Sequence, residues 1–186
     1  MRALMLEPPP ELLEDRHRKG LDLRDEVWNG VLHIVPPAST RHQAIGVSLV
    51  RILEPLARGH GLELLYDAGL YRGDRDYRVP DLIVYRPEQA SERGVEGHAE
   101  VVFELLSPGD ESREKLPFYE SLGVSEVFLV DPATRAVELY VVRGGKLLVV
   151  LPDRNRAVRS EVLGVEFRPV DGPKLRLTWD GGTEDV

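Results

Sequence analysis

Apolar positions along this chain fall into two periods, and the change from one to the other marks its elements. Residues 40–58, TRHQAIGVSLVRILEPLAR, place Ala44, Val47, Leu49, Val50, Ile52, Leu53 and Leu56 at roughly helical spacing. Ser39 or Thr40 offers an N-cap, Gly59 or Gly61 a stop, and Pro55 a kink. Residues 24–37 show two short runs around Asn29-Gly30, the signature of a type I′ hairpin. Short strands are expected over 62–73 and 81–87, followed by a polar loop over 86–100. VVFELLS, 101–107, is apolar at nearly every position and reads as a central strand covered on both faces. The spacing of Leu116, Tyr119 and Leu122 predicts a helix over 109–124, ending at Gly123. Another strand is expected over 126–132, a hairpin about Gly144-Gly145 over 136–152, and weak strands near 162–167 and 174–179. Residues 1–22 read as a polar arm with a short helical piece near 11–19, leaving 23–186 as a single domain. Helices separating mostly antiparallel strands predict a mixed α and β class with one central sheet.

Composition narrows the function classes. The 186 residues include no cysteine, which removes disulfides, thiolate metal sites and cysteine nucleophiles. A cytoplasmic protein is expected: the N-terminal stretch has no long apolar region, so no signal peptide is foreseen, and no run approaches the ~18 apolar residues of a membrane span. With 24 basic and 32 acidic residues the net charge is −8, which argues against a broad phosphate-binding surface but leaves room for a local groove or a metal-bridged contact. Only Lys19, Lys115, Lys146 and Lys174 are lysines, so a lysine in a chemically special place stands out.

Two carboxylates attract attention. Glu104 lies among Val101, Val102, Phe103, Leu105 and Leu106, where a lone charge would cost several kcal/mol unless paired, hydrogen-bonded or metal-bound. Asp81 follows Pro80 at the mouth of a second apolar run. Paired strands lie about 4.8 Å apart, so carboxylates on one face of neighbouring strands can share a divalent cation. Mg²⁺ takes a few carboxylates plus waters and leaves positions for a substrate phosphate. A nearby lysine could then orient or deprotonate a water and offset developing charge. The alternative for Glu104 is a buried ion pair or a strand-end cap, and for Asp81 a residue that merely opens a strand.

The order Pro80-Asp81, Glu104 and a following lysine resembles the PD-(D/E)XK nuclease superfamily, although the plain motif would put the lysine where Leu106 stands. The segments VPDLIVYRP, FELLSP, EKLPFY and LGVSEVFLVDP are more similar to the Uma2-like family, formerly a domain of unknown function, in which the lysine sits on the next helix. The similarity runs from about Glu26 to the C-terminal strands. It implies a restriction-endonuclease-like central mixed sheet flanked by helices, with N-terminal and C-terminal hairpins. It implies a divalent-metal-dependent DNA endonuclease, with Asp81 and Glu104 as ligands of Mg²⁺ or Mn²⁺ and Lys115 as the catalytic lysine. Glu26 is a possible further ligand, and His42 a phosphate or water contact. A homo-oligomer such as a dimer is implied as well. Glu111 stands where the family usually has Asp, and Pro117 where it has a helix former, a change that could shift Lys115.

Other residues weigh less. His33, His60 and His98 lack zinc-site spacing. Trp28 and Tyr85 read as core. Ser107 has no G-x-S-x-G around it and reads as a turn residue. Arg41, Arg51 and Arg58 form a short basic ridge or a solvated helix face. The rival to the nuclease is a catalytically weak or inactive nucleic-acid- or protein-binding module on the same fold. A third possibility is a structural oligomerisation domain whose buried acids are ion pairs.

Overall fold

The structure, a computed structural model, describes residues 3–6, 8–109 and 111–186. Met1, Arg2 and Glu7 of the expected arm, and Asp110 of the expected helix, lie outside the described residues. These residues form a mixed α and β architecture of three sheets. The expected single sheet corresponds to the six-stranded one, where Val101–Leu105 runs parallel to Glu126–Val130 and antiparallel to Leu82–Tyr85. Among the described residues the α-helices are α1 (Pro10–Arg18), α2 (Thr40–Gly59) and α3 (Leu116–Ser121).

Alternation along the central strands sorts side chains between two cores. Leu82, Val84, Val101, Phe103 and Leu105 pack with Ile45, Leu49 and Leu53 of α2. Ile83, Tyr85, Val102, Val127 and Leu129 face the other way, toward Phe118 and Tyr119 of α3. The C-terminal four-stranded sheet contributes Phe167, Leu175 and Leu177 to the α2 side. Phe103, Phe128 and Phe167 meet there with centroids 4.6 to 5.8 Å apart.

The long helix begins where expected: Ser39 is its N-cap, its hydroxyl accepting from His42 N–H, and the helix continues past Pro55 to Gly59. Asn29 and Gly30 both take positive φ, 49° and 89°, as a type I′ turn requires. Four expectations are revised in detail. The helix over 109–124 is a 3₁₀ turn, Ser112–Lys115, followed by α3, because Pro117 tolerates only the first turn of an α-helix. The 62–73 stretch divides at Asp67, φ 51°: Glu63–Tyr66 joins the central sheet and Gly69–Gly73 the seven-stranded one. The polar loop 86–100 contains two short strands, Ala90–Ser91 and Gly94–Glu96, the latter parallel to Gly69–Gly73. The polar arm contributes a strand, Ala3–Met5, paired with Val31–Ile34. No helix among the described residues is long and apolar enough to cross a membrane.

Candidate active site

The central ladder brings the two carboxylates together. Val101 pairs with Val84, Val102 with Ile83 and Phe103 with Leu82, so one further step sets Glu104 across from Asp81. Both share the face of Ile83 and Val102, the α3 face. The regular ladder ends there, and the Asp81 side chain takes its place: Oδ2 accepts Leu105 N–H at 2.7 Å.

Lys115 reaches Glu104 from the helical segment covering that face. Its Nζ donates to Glu104 Oε1 and Oε2 at 2.9 and 3.1 Å, and lies 2.7 Å from Glu26 Oε1. Pro117 does not displace it. One helical turn on, the Tyr119 hydroxyl donates to Glu104 Oε1. Glu26 comes from the first hairpin strand and also accepts Val79 N–H at 3.0 Å and Trp28 Nε1–H at 2.7 Å. His42, in the first turn of α2, places Nε2 3.3 Å from Asp81 Oδ1. All five residues picked out in the sequence therefore line one cleft of about 470 Å³.

The charges do not balance evenly. Burial pushes Glu104 up to about 7, and the negative charges of Asp81 and Glu26 add to that effect, outweighing Lys115 and the Tyr119 hydrogen bond. Glu26 is held below its ordinary range: burial opposes this, but Lys115, Val79 N–H and Trp28 prevail. Lys115 is raised, its burial overcome by Glu104 and Glu26, so it stays an ammonium at neutral pH. Burial would lower His42, yet its contact with Asp81 raises it. One lysine between two carboxylates satisfies the lower-pKa partner, Glu26, and leaves Glu104 as the group that takes up a proton.

No cluster of three or more His, Asp or Glu side chains among the described residues is already gathered in metal-ligand geometry. The donor chemistry nonetheless fits a hard divalent cation. Asp81 and Glu104 offer carboxylate oxygens in a buried cleft, and in this structure their negative charge is met by the cationic side chains of Arg24 and Lys115.

Two contributors escaped the sequence reading. Tyr119 entered only as one of the positions whose spacing predicts the helix, though its place four residues after Lys115 puts both on one helical face. Arg24 pairs with Asp81 across 57 positions and carried no local signal. Of the other candidates, Ser107 lines the cleft, while the arginine ridge, His33, His98 and Tyr85 do not. Arg51 pairs with Glu184 and Arg58 with Glu54, so these two arginines of the ridge are engaged within the chain. His33 stacks on Trp28 at 4.1 Å, and His98 Nδ1 lies 3.1 Å from Leu122 O. Tyr85 is buried, its hydroxyl donating to Glu63. Leu106 packs with the α3-side core, and the lysine comes from the helix above it instead.

A family model described as "Putative restriction endonuclease", Uma2, matches residues 10–171. The chain belongs to the Uma2 family. Among solved structures, a "putative nuclease belonging to DUF820" from Anabaena variabilis is similar, with a TM-score of 0.61 and 17% identity, covering 75% of this chain and 82% of that one. At that identity the likeness shows the fold, which is restriction-endonuclease-like. The cryoEM structure of a DrdV–DNA complex is similar over 60% of this chain and 10% of its own, with 15% identity and a TM-score of 0.38. No curated protein matches the chain. Uma2 membership and the fold support a nuclease.

Proposed function

We propose that this Uma2 protein hydrolyses phosphodiester bonds of DNA with Mg²⁺ or Mn²⁺ held by Asp81 and Glu104. The observation that carries the reading is Lys115 Nζ held between Glu26 and Glu104, beside Asp81, in one cleft. A buried lysine so anchored is a positioned charge. The metal, when bound, supplies Lewis-acid polarisation of the phosphoryl oxygen and a more acidic water. Asp81, fixed by Leu105 N–H, presents Oδ1 toward the cleft. Lys115, kept protonated, orients the attacking water and offsets charge on the phosphoryl group rather than removing a proton. Glu26 keeps Lys115 in place; its bonds to Val79 and Trp28 fix it to the hairpin, which favours an anchoring role over that of a further metal ligand. His42, whose pKa burial would lower but Asp81 raises, contacts a substrate phosphate. A homo-oligomer would help an acidic chain engage a duplex through more than one cleft.

The test is cleavage of supercoiled plasmid by identically purified wild-type, Asp81→Ala and Lys115→Ala proteins, with Mg²⁺, Mn²⁺ or EDTA. Metal-dependent nicking should fall by roughly a hundredfold or more in both variants. Equal cleavage by all three proteins, or none by the wild type, would refute the assignment.

A further inference from the structure

Arg24 stands just before the Glu26–Trp28 strand and reaches into the cleft between two aspartates. Its Nη2 donates to Asp81 Oδ1 at 3.0 Å and lies 3.1 Å from Asp67 Oδ1. The two contacts are unequal. The first is a hydrogen bond; in the second, Asp67 Oδ1 is buried without any hydrogen bond, and so is Arg24 Nε. Asp67 is held at a fixed distance from Asp81, because its N–H donates to Asp81 O at 2.9 Å across the corner where the chain changes sheets.

Leu105 N–H engages Asp81 Oδ2, which leaves Oδ1 as the more open oxygen for a metal, and Arg24 and, at 3.3 Å, His42 Nε2 already lie against it. A divalent cation and a guanidinium cannot both lie against one carboxylate oxygen without strong repulsion. The guanidinium has a second carboxylate within reach, and that carboxylate has an unused hydrogen-bonding oxygen. We infer that Arg24 is a resident counter-cation of the metal site: it neutralises Asp81 before the divalent cation binds, then transfers its hydrogen bond to Asp67. Arg24 is thus a positioning residue that sets metal affinity, and Asp67 is its acceptor. This rests on the metal-dependent reading above and goes beyond it, since neither residue contacts the substrate in that reading.

The test is Mn²⁺ binding by titration calorimetry to the wild type, Arg24→Met, Asp67→Asn and the double variant, with Mn²⁺-soaked crystals of the wild type. Asparagine tolerates the positive φ at the corner, so Asp67→Asn conserves shape even if Arg24→Met folds poorly. Arg24→Met should bind Mn²⁺ roughly tenfold tighter and Asp67→Asn roughly tenfold weaker. In the Arg24→Met background, Asp67→Asn should matter less than about threefold, because no arginine remains to be received. The soaked crystal should show Arg24 off Asp81 and hydrogen-bonded to Asp67. If Asp67→Asn weakens binding equally in both backgrounds, or Arg24 stays on Asp81 beside Mn²⁺, the transfer is wrong although the metal site stands. If the wild type binds no Mn²⁺, the metal-dependent reading itself fails and this inference with it.

Discussion

Burial alone would drive Glu104 neutral, and Lys115 alone would hold it ionised; the outcome depends on Glu26, which competes for the same ammonium. Glu26 has the Val79 and Trp28 N–H donors besides Lys115, whereas Glu104 is fully buried and faces the charge of Asp81, so the deficit of positive charge falls on Glu104. Its folded pKa, about 7, stands above the ordinary carboxyl value, so folding favours the protonated form. Stability from this group is therefore fully present below about pH 4.5 and is lost as pH rises through 7. The shift corresponds to about 3 kcal/mol. Glutamine mimics the protonated acid, so Glu104→Gln should match the wild type near pH 5 and exceed it by about 3 kcal/mol near pH 8 in EDTA. Urea denaturation at the two pH values measures this. A difference between the proteins that does not change with pH would mean that Glu104 is ionised throughout and that Lys115 neutralises it fully.

At the scale of elements, the sequence revealed whatever repeats with a regular period. Asp81 and Glu104 were legible as neighbours because both stand in apolar runs whose two-residue alternation survives in the sheet. Helix α2 was legible because a single 3.6 period and a serine cap agree. The segment 109–124 was misread as one helix because its apolar spacing outweighed Pro117, which in the structure stands in the first turn of α3, with the 3₁₀ turn carrying Lys115 before it. The corner at Asp67 and the reach of Arg24 depend on contacts remote in sequence, which no period records. Glu126 shows the same limit from the other side. It sits in an apolar strand much as Glu104 does, yet it is a strand-end cap: Oε2 accepts the Ser160 hydroxyl at 2.5 Å, and Oε1 accepts Glu161 and Val162 N–H at 2.8 and 3.2 Å. Those bonds fix the turn after Val158–Ser160 and hence the edge of the four-stranded sheet against the central one. Glu126→Ala should cost about 2–4 kcal/mol by leaving two backbone donors unpaired, and should leave Mn²⁺ affinity unchanged. Denaturation together with metal titration checks both halves; a cost under about 1 kcal/mol would mean water replaces the carboxylate.

For the whole molecule, the decisive feature is that the cleft is assembled from separate units. Glu26 belongs to the seven-stranded sheet, Asp81 and Glu104 to the end of an interior ladder in the six-stranded one, and Lys115 to the helical segment laid over it. Lys115 is therefore a cross-brace as well as a positioned charge, joining hairpin to central strand through two buried ion pairs. Removing it leaves two buried carboxylates facing one another, a change that typically costs about 3–5 kcal/mol. A divalent cation on Asp81 and Glu104 would replace part of that lost charge. Lys115→Met should therefore melt well below the wild type in EDTA, and Mn²⁺ should raise its melting temperature more than it raises that of the wild type. For the wild type, saturation near a hundred times Kd adds about 2.7 kcal/mol, or roughly 5–10 °C in a chain this long. Asp81→Asn, which keeps the shape but weakens the ligand, should lose most of the Mn²⁺ shift in either background. Thermal melts of the four proteins across a Mn²⁺ series read this directly. If Asp81→Asn retains the full shift, the cation binds elsewhere. If Lys115→Met gains no more from Mn²⁺ than the wild type does, the ammonium and the metal do not share the charge of Glu104.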